Sequence, residues 1–143
     1  MVKSTASAVW NGKLKDGTGS FRAESGAFQG EYSFATRFEG AKGSTPEELI
    51  AAAHAACFSM ALSLGLEKAG TPSERISTTA HCTMEKGDGG FAITKMRLET
   101  RGRVPGIDAA AFQRAAENAK NGCPVSGALK NNVAIELDAT LEE

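Results

Sequence analysis

The spacing of the apolar residues changes along the chain, and each change predicts a different element. In the first forty residues apolar and polar residues alternate between glycines, which predicts β-strands joined by tight turns. The last of these strands is expected to carry an aromatic row on one face and Arg37 on the other. The row consists of Tyr32, Phe34, Thr36 and Phe38.

A long stretch that is almost free of charge follows and predicts one helix over Pro46–Ala69. Thr45 suits the N-cap, proline is favoured at the first helical position, and Glu48 would complete a capping box. Gly70 and Pro72 then end the helix. Because no face of this helix is strongly charged, one small sheet cannot cover it, and we expect a homodimer.

The second half of the chain predicts two strands, two helices and a last strand. The strands 75–85 and 91–103 meet at the glycine-rich turn 87–90, and an apolar switch between Ile93 and Met96 predicts a bulge or a twist. Asp108 should cap a helix over residues 109–120, a short helix follows Cys123, and residues 133–141 alternate as a strand. Strands grouped before and after an apolar helix indicate an α+β fold, with a single domain over residues 1–143.

Composition narrows the classes of partner and the compartment. The formal net charge is −1 with no basic stripe, which argues against nucleic acid or an anionic membrane as the main partner. No signal peptide is visible, so we expect a cytoplasmic protein. The 18 uncharged residues Leu49–Leu66 approach the length of a membrane span, but their alanine, serine, glycine and histidine content favours a buried helix in a globular protein.

Three cysteines are too few, and odd in number, for a disulfide scaffold. Cys57 lies in the middle of the long helix, whereas Cys123 opens the short helix just before Pro124. They are 66 positions apart, so only the tertiary fold could bring them together as a nucleophile and a resolving partner. Backbone N–H groups at the start of the short helix should favour a Cys123 thiolate. Cys82 shares a strand face with apolar residues and is predicted to be structural.

A reactive Cys57 needs a cation, because an apolar setting raises the pKa of a thiol above its usual value of about 8.5. Arg37 is the leading candidate, since its guanidinium can contact a thiolate and a carboxylate together. Glu47 is the obvious carboxylate, but it lies ten helical residues before Cys57, about 15 Å along the axis. Either Glu47 is irrelevant, or two antiparallel helices related by a two-fold axis near Ala52 place it beside Cys57 of the other chain.

Each of these residues also has a plainer explanation. A buried small hydrophobic residue is the commoner role for Cys57 taken alone. His54 could pair with Cys57 as the base of a thiol-acyl enzyme, although a buried histidine bonded to a carbonyl is the more usual case. A zinc site from His54, Cys57 and Cys123 fits no standard spacing. A non-catalytic module that binds an apolar ligand is the main alternative function.

Several segments of the chain together carry a family resemblance. They are Thr36–Gly40, Pro46–Leu49, Ala53–Ser63, Gly90–Lys95, Val104–Asp108 and Gly122–Ser126. The paired motifs Ala-Ala-Cys-Phe and Cys-Pro-Val-Ser are the most specific parts. In these segments the chain resembles the superfamily of osmotically inducible protein C (OsmC) and the organic hydroperoxide resistance proteins, over nearly its whole length.

This resemblance implies an intertwined homodimer, with two sheets wrapped around central helices and active sites at the interface. It implies thiol-dependent reduction of organic hydroperoxides in preference to hydrogen peroxide. Cys57 matches the peroxidatic cysteine, Cys123 the resolving cysteine, and Arg37 with Glu47 the activating pair, Glu47 being expected from the partner chain. The reductant would be an external dithiol, of the lipoyl type or another small thiol, with no metal, flavin or haem.

Overall fold

The computed structural model describes residues 1–143 and divides the chain into two compact units, Met1–Leu49 and Ile50–Glu143. The first unit holds an antiparallel sheet in the order β1-β2-β3, formed by Ala6–Asn11, Thr18–Ala23 and Gln29–Tyr32. Its aromatic rings pack along the sheet, with Phe21 and Trp10 on either side of Tyr32 at centroid distances of 6.0 and 5.5 Å. The predicted β-structure of the first forty residues is therefore confirmed as far as Tyr32.

Residues Phe34–Phe38 form a short helix, α1, and the prediction that they continue a strand is wrong. The reason is a capping box: the Ser33 hydroxyl accepts from the Thr36 amide at 3.1 Å, and the Thr36 hydroxyl accepts from the Ser33 amide at 2.8 Å. The same aromatic residues that fit a strand also fit a helix, because Phe34 and Phe38 are four residues apart and their rings meet at 4.9 Å. Arg37 therefore lies on a helix.

Helix α2 spans Pro46–Lys68, as the sequence predicts. Thr45 accepts a hydrogen bond from the Glu48 amide at 2.9 Å. The expected return bond of a capping box is replaced, since the Glu48 carboxylate accepts from the Ser44 hydroxyl at 2.8 Å. Two glutamates in the first turn also stabilise the positive end of the helix dipole.

The second unit packs helices against a sheet in the order β4-β5-β6. Strands β4 (Arg75–Gly87) and β5 (Gly90–Arg103) form a hairpin. Thr83 pairs with Lys95 whereas Met84 pairs with Ile93, and this register shift confirms a bulge in β5 where the apolar switch predicts an irregularity. Helices α3 (Ala109–Gly122) and α4 (Pro124–Leu129) then lead to β6 (Ala134–Leu141), which runs parallel to β5. Asp108 caps α3 as predicted, accepting from the Ala111 amide at 2.8 Å.

The core of the second unit is built around one stripe of α2. Phe58, Leu62 and Leu66 recur every four residues and are buried against β5 and α3. Burial of each such side chain contributes about 1.5–3 kcal/mol to folding. The stripe continues toward the helix start with His54, which is also fully buried. The core therefore fixes the rotation of α2, and with it the direction of Cys57.

Candidate functional site

Two cysteines meet in the second unit. Cys57 is half-buried on α2 and Cys123 is buried between α3 and α4. The Cys123 thiol donates a hydrogen bond to the Cys57 sulfur, with 2.8 Å between the two sulfurs. A disulfide bond is about 2.0 Å long, so both residues are thiols here and lie close to bonding distance. The expectation that only the tertiary fold could bring them together is confirmed.

The junction of two helices places Cys123. Its amide donates to the Ala119 carbonyl at 3.0 Å and so ends α3, while its carbonyl accepts from the Gly127 amide at 3.0 Å and so begins α4. Pro124 keeps Cys123 in the extended conformation, with φ −64° and ψ 130°, and occupies the first turn of α4. The chain thus turns sharply at Cys123 and presents its thiol to α2.

The surroundings of Cys57 oppose its ionisation. Burial raises the pKa of the Cys57 thiol, and the hydrogen bond from Cys123 raises it further. The backbone amide of Val125 in the first turn of α4 acts in the opposite direction and lowers the pKa, but the net shift is upward. The sequence analysis expected the backbone amides of α4 to stabilise a Cys123 thiolate. The Cys123 side chain makes no capping hydrogen bond, and the Val125 amide contacts Cys57 instead.

Arg37 and Glu47 form an ion pair in the first unit. Arg37 Nη2 lies 2.5 Å and Nε 2.9 Å from Glu47 Oε1, and Nε lies 3.3 Å from Oε2. Two guanidinium nitrogens therefore share one carboxylate, which fixes the plane of the arginine. Glu47 is buried, whereas Arg37 keeps about a third of its side chain exposed, with its guanidinium 5.4 Å from the Phe38 ring.

The origin of this carboxylate corrects the sequence analysis. Glu47 was expected to reach Arg37 from the partner chain, but it binds Arg37 of its own chain. The physical reason is local: seven residues separate the end of α1 at Phe38 from the start of α2 at Pro46, and this link is short enough for Arg37 to reach Glu47. Glu47 and Cys57 remain ten residues apart on the same helix, about 15 Å along its axis.

Comparison with known proteins identifies the family. The family model described as OsmC-like protein matches residues 39–138. Peroxiredoxin OsmC of Escherichia coli is 51% identical over 136 residues, covering 94% of this chain and 95% of the relative. The chain belongs to the OsmC family. Organic hydroperoxide resistance protein-like 2 of Staphylococcus saprophyticus is 34% identical over 68% of both chains.

Solved structures agree with the OsmC assignment. The organic hydroperoxide resistance protein OhrB of Bacillus subtilis has a TM-score of 0.76 and 26% identity, covering 95% of this chain and 98% of that one. The α+β fold with its OsmC-like arrangement of two sheets and helices is thereby confirmed. By length and composition α2 could cross a membrane, but membership of the OsmC family is consistent with a soluble protein.

The remaining candidate residues of the second unit are His54 and Cys82. His54 was expected to bond a carbonyl or to pair with Cys57; its Nε2 lies 2.8 Å from the Ser126 hydroxyl oxygen instead. Burial lowers the pKa of His54. No group of three His, Cys, Asp or Glu side chains is arranged to hold a metal ion. Cys82 is half-buried on β4 and packs against the core, which supports its predicted structural role.

Ser126 is the residue that sequence reasoning did not single out. It is 1% exposed and its hydroxyl holds the histidine of α2. A signal was present in the sequence, because Ser126 is the last residue of the Cys-Pro-Val-Ser motif and follows Cys123 by one helical turn. The partner on α2 could not be identified without the fold.

Proposed function

We propose that this chain is a thiol-dependent peroxidase that reduces organic hydroperoxides, and hydrogen peroxide less efficiently. The observation that carries the proposal is the 2.8 Å approach of the Cys57 and Cys123 sulfurs in a chain 51% identical to a peroxiredoxin. The alternative of a non-catalytic module for apolar ligands gains no support. The named relatives are a peroxiredoxin and organic hydroperoxide resistance proteins.

Cys57 is the nucleophile in this mechanism. Its thiolate attacks the distal oxygen of the hydroperoxide, an S–O bond forms, the O–O bond breaks, and the alkoxide leaves to be protonated as an alcohol. Cys57 becomes a sulfenic acid. The half-buried position of Cys57 supports this role, because a peroxide must reach the sulfur, whereas Cys123 is almost entirely enclosed.

Cys123 resolves the intermediate. Its sulfur attacks the sulfenic sulfur, the S–S bond forms, and the hydroxyl leaves as water with the proton of Cys123. An external dithiol then reduces the disulfide by two exchange steps and is itself oxidised to a disulfide. The family resemblance favours a lipoyl-type dithiol. No cofactor is part of the proposal.

Arg37 and Glu47 activate Cys57 from across a dimer. The upward pKa shift of Cys57 in a single chain supports a cation supplied from elsewhere. Two antiparallel copies of α2 would bring the partner subunit's Arg37, held by the partner subunit's Glu47, to the Cys57 sulfur. There the guanidinium would stabilise both the thiolate and the charge that develops as the O–O bond breaks.

The uncovered face of α2 supports this dimer. Met60 and Leu64 are 76% and 49% exposed, and Ala52, Ala53 and Ala56 are exposed on the same helix. The small alanine side chains allow two helices to approach closely. Burial of a large apolar side chain such as Met60 in the interface would contribute about 1.5–3 kcal/mol to the stability of the dimer. A reducing compartment would keep Cys57 and Cys123 as thiols, which supports a cytoplasmic location.

Stopped-flow mixing of the reduced protein with tert-alkyl, fatty-acid and hydrogen peroxides tests the function. Thiol titration before and after should show that Cys57 and Cys123 disappear together, with the organic peroxides reacting faster. The Cys57→Ser variant should be inactive, and the matched Cys82→Ser variant should react like the wild type. If Cys57→Ser keeps even about a tenth of the rate, the mechanism is wrong.

A further inference from the structure

A buried hydrogen bond joins α2 to α4 next to the two cysteines. His54 Nε2 and the Ser126 hydroxyl oxygen are 2.8 Å apart, and the two residues are 0% and 1% exposed. His54 precedes Cys57 by three residues on α2, and Ser126 follows Cys123 by three residues at the start of α4. The bond therefore bridges the same two segments as the two sulfurs, one helical turn away on each side.

The core alone gives no reason for this polar pair. The other imidazole nitrogen, His54 Nδ1, is buried without a hydrogen-bond partner, which is unfavourable for folding. An aliphatic residue at position 54 would continue the stripe of Phe58, Leu62 and Leu66 without that penalty. Ser126 is also the one fully buried residue of the six-residue helix α4, so this hydrogen bond holds the helix at its most enclosed point, in addition to the packing of Leu129 against the core.

We propose that the His54–Ser126 hydrogen bond positions the first turn of α4, so that Cys123 stays within reach of Cys57 and resolves its sulfenic acid. The inference rests on the proposed peroxidase function. In the resolving step the new S–S bond replaces the S–O bond and water leaves, and its rate depends on how the two sulfurs are aligned. His54 and Ser126 act through the position of α4 and are positioning residues.

The sharpest test removes one hydroxyl group. Ser126→Ala should lower the equilibrium constant for the Cys57–Cys123 disulfide in a glutathione redox buffer roughly tenfold, the equivalent of about 1.4 kcal/mol. The resolving step should slow by a similar factor, so that more Cys57 is over-oxidised to sulfinic acid, as measured by mass spectrometry. The bimolecular rate of the first oxidation of Cys57 should fall less than the resolving step, because the Cys57 sulfur itself is unchanged and the Val125 amide of α4 affects its pKa less than burial does.

Four further variants separate positioning from general stability. Thr100→Val removes the hydroxyl of a residue that is also 1% exposed, and that hydroxyl oxygen lies 3.0 Å from the Thr78 hydroxyl oxygen. The variant should therefore lower the melting temperature without changing disulfide formation. His54→Gln keeps a hydrogen-bonding group near the position of Nε2 and should largely preserve disulfide formation. His54→Leu should match Ser126→Ala, and the double variant should be no worse than either single variant.

The glutathione equilibrium needs no peroxide, so it tests the positioning role even if the peroxidase function fails. The proposal is overturned if Ser126→Ala leaves both disulfide formation and the resolving rate unchanged. The proposal is equally overturned if Thr100→Val, at the same loss of thermal stability, reduces disulfide formation and the resolving rate as much as Ser126→Ala does. If Ser126→Ala does not fold, His54→Leu tests the bond from the other side, with Ser126→Thr as the variant that retains the hydroxyl.

Discussion

The Cys123 thiol donates its hydrogen bond to the Cys57 sulfur across 2.8 Å, although 66 positions separate the two residues in the chain. The pair needs to approach by less than about 1 Å to form a disulfide. A sulfenic acid formed on Cys57 would therefore meet its resolving thiol without a large movement of the backbone. This geometry predicts that the resolving step is fast compared with over-oxidation.

Removal of the resolving thiol should stop the cycle after one turnover. Cys123→Ser should still consume about one peroxide per site, because Cys57 retains its nucleophile, and then stall or proceed to sulfinic acid. Peroxide consumption and intact mass measure this directly. Sustained dithiol-driven turnover by Cys123→Ser would remove Cys123 from the mechanism.

Cys82→Ser, on a half-buried strand position, should lower stability more than activity.

Loss of the guanidinium should slow the first chemical step. Arg37→Ala should raise the pKa of Cys57 in the active protein and reduce the oxidation rate by about 10²–10³, since a positioned charge no longer stabilises the transition state. The thiolate absorbance as a function of pH and the stopped-flow rate are the measurements. Arg22→Ala, at an exposed arginine of the same unit, is the matched control. An unchanged thiolate titration in Arg37→Ala would count against its role.

Removal of the Glu47 charge tests the ion pair rather than the arginine itself. Glu47→Gln keeps the shape of the side chain but loses the carboxylate that binds two guanidinium nitrogens of Arg37. We expect an oxidation rate between those of the wild type and Arg37→Ala, because the guanidinium remains charged but is less firmly oriented. Addition of Glu47→Gln to Arg37→Ala should then have little further effect. Independent, additive losses would contradict this coupling.

The sequence predicted most elements because local signals and burial agree there. Helix α2, the hairpin of β4 and β5, and the cap of α3 at Asp108 follow from proline, glycine and capping residues and from apolar spacing. The prediction for residues 34–38 failed because their aromatic spacing fits both a strand and a helix. The capping box at Ser33 and Thr36 favours the helix. A short segment with two compatible patterns is settled by its side-chain hydrogen bonds.

The site was predictable only in part for a different reason. The pairing of Cys57 with Cys123 joins two segments far apart in sequence, and no local rule measures that distance. Which chain supplies the Glu47 carboxylate to Arg37 depends on the link between α1 and α2. That link could not be foreseen because Arg37 was predicted to lie on a strand. Ser126 was missed because a serine is usually exposed, and only the packed fold shows that its hydroxyl is buried against His54.

A charge on the uncovered face of α2 should dissociate the proposed dimer. Met60→Glu places a carboxylate at a position that is 76% exposed in one chain, so the fold should persist while an interface there would lose free energy. Sedimentation should show a monomer, and the peroxidase rate should fall because the partner's Arg37 is lost. Leu14→Glu, at a 62% exposed turn position, should behave as the wild type. A folded monomer with full activity would exclude a shared site.

Acidification below about pH 6.5 should destabilise the protein through His54. Burial lowers the pKa of His54 in the folded state, whereas the unfolded chain ionises near the ordinary value of 6.5. As the pH falls through that value the unfolded chain binds a proton that the folded state does not, so the free energy of unfolding decreases. In urea unfolding, His54→Gln should therefore lose less stability between about pH 7 and pH 5 than the wild type. Equal slopes in the two proteins would mean that folded His54 binds its proton as readily as the unfolded chain does.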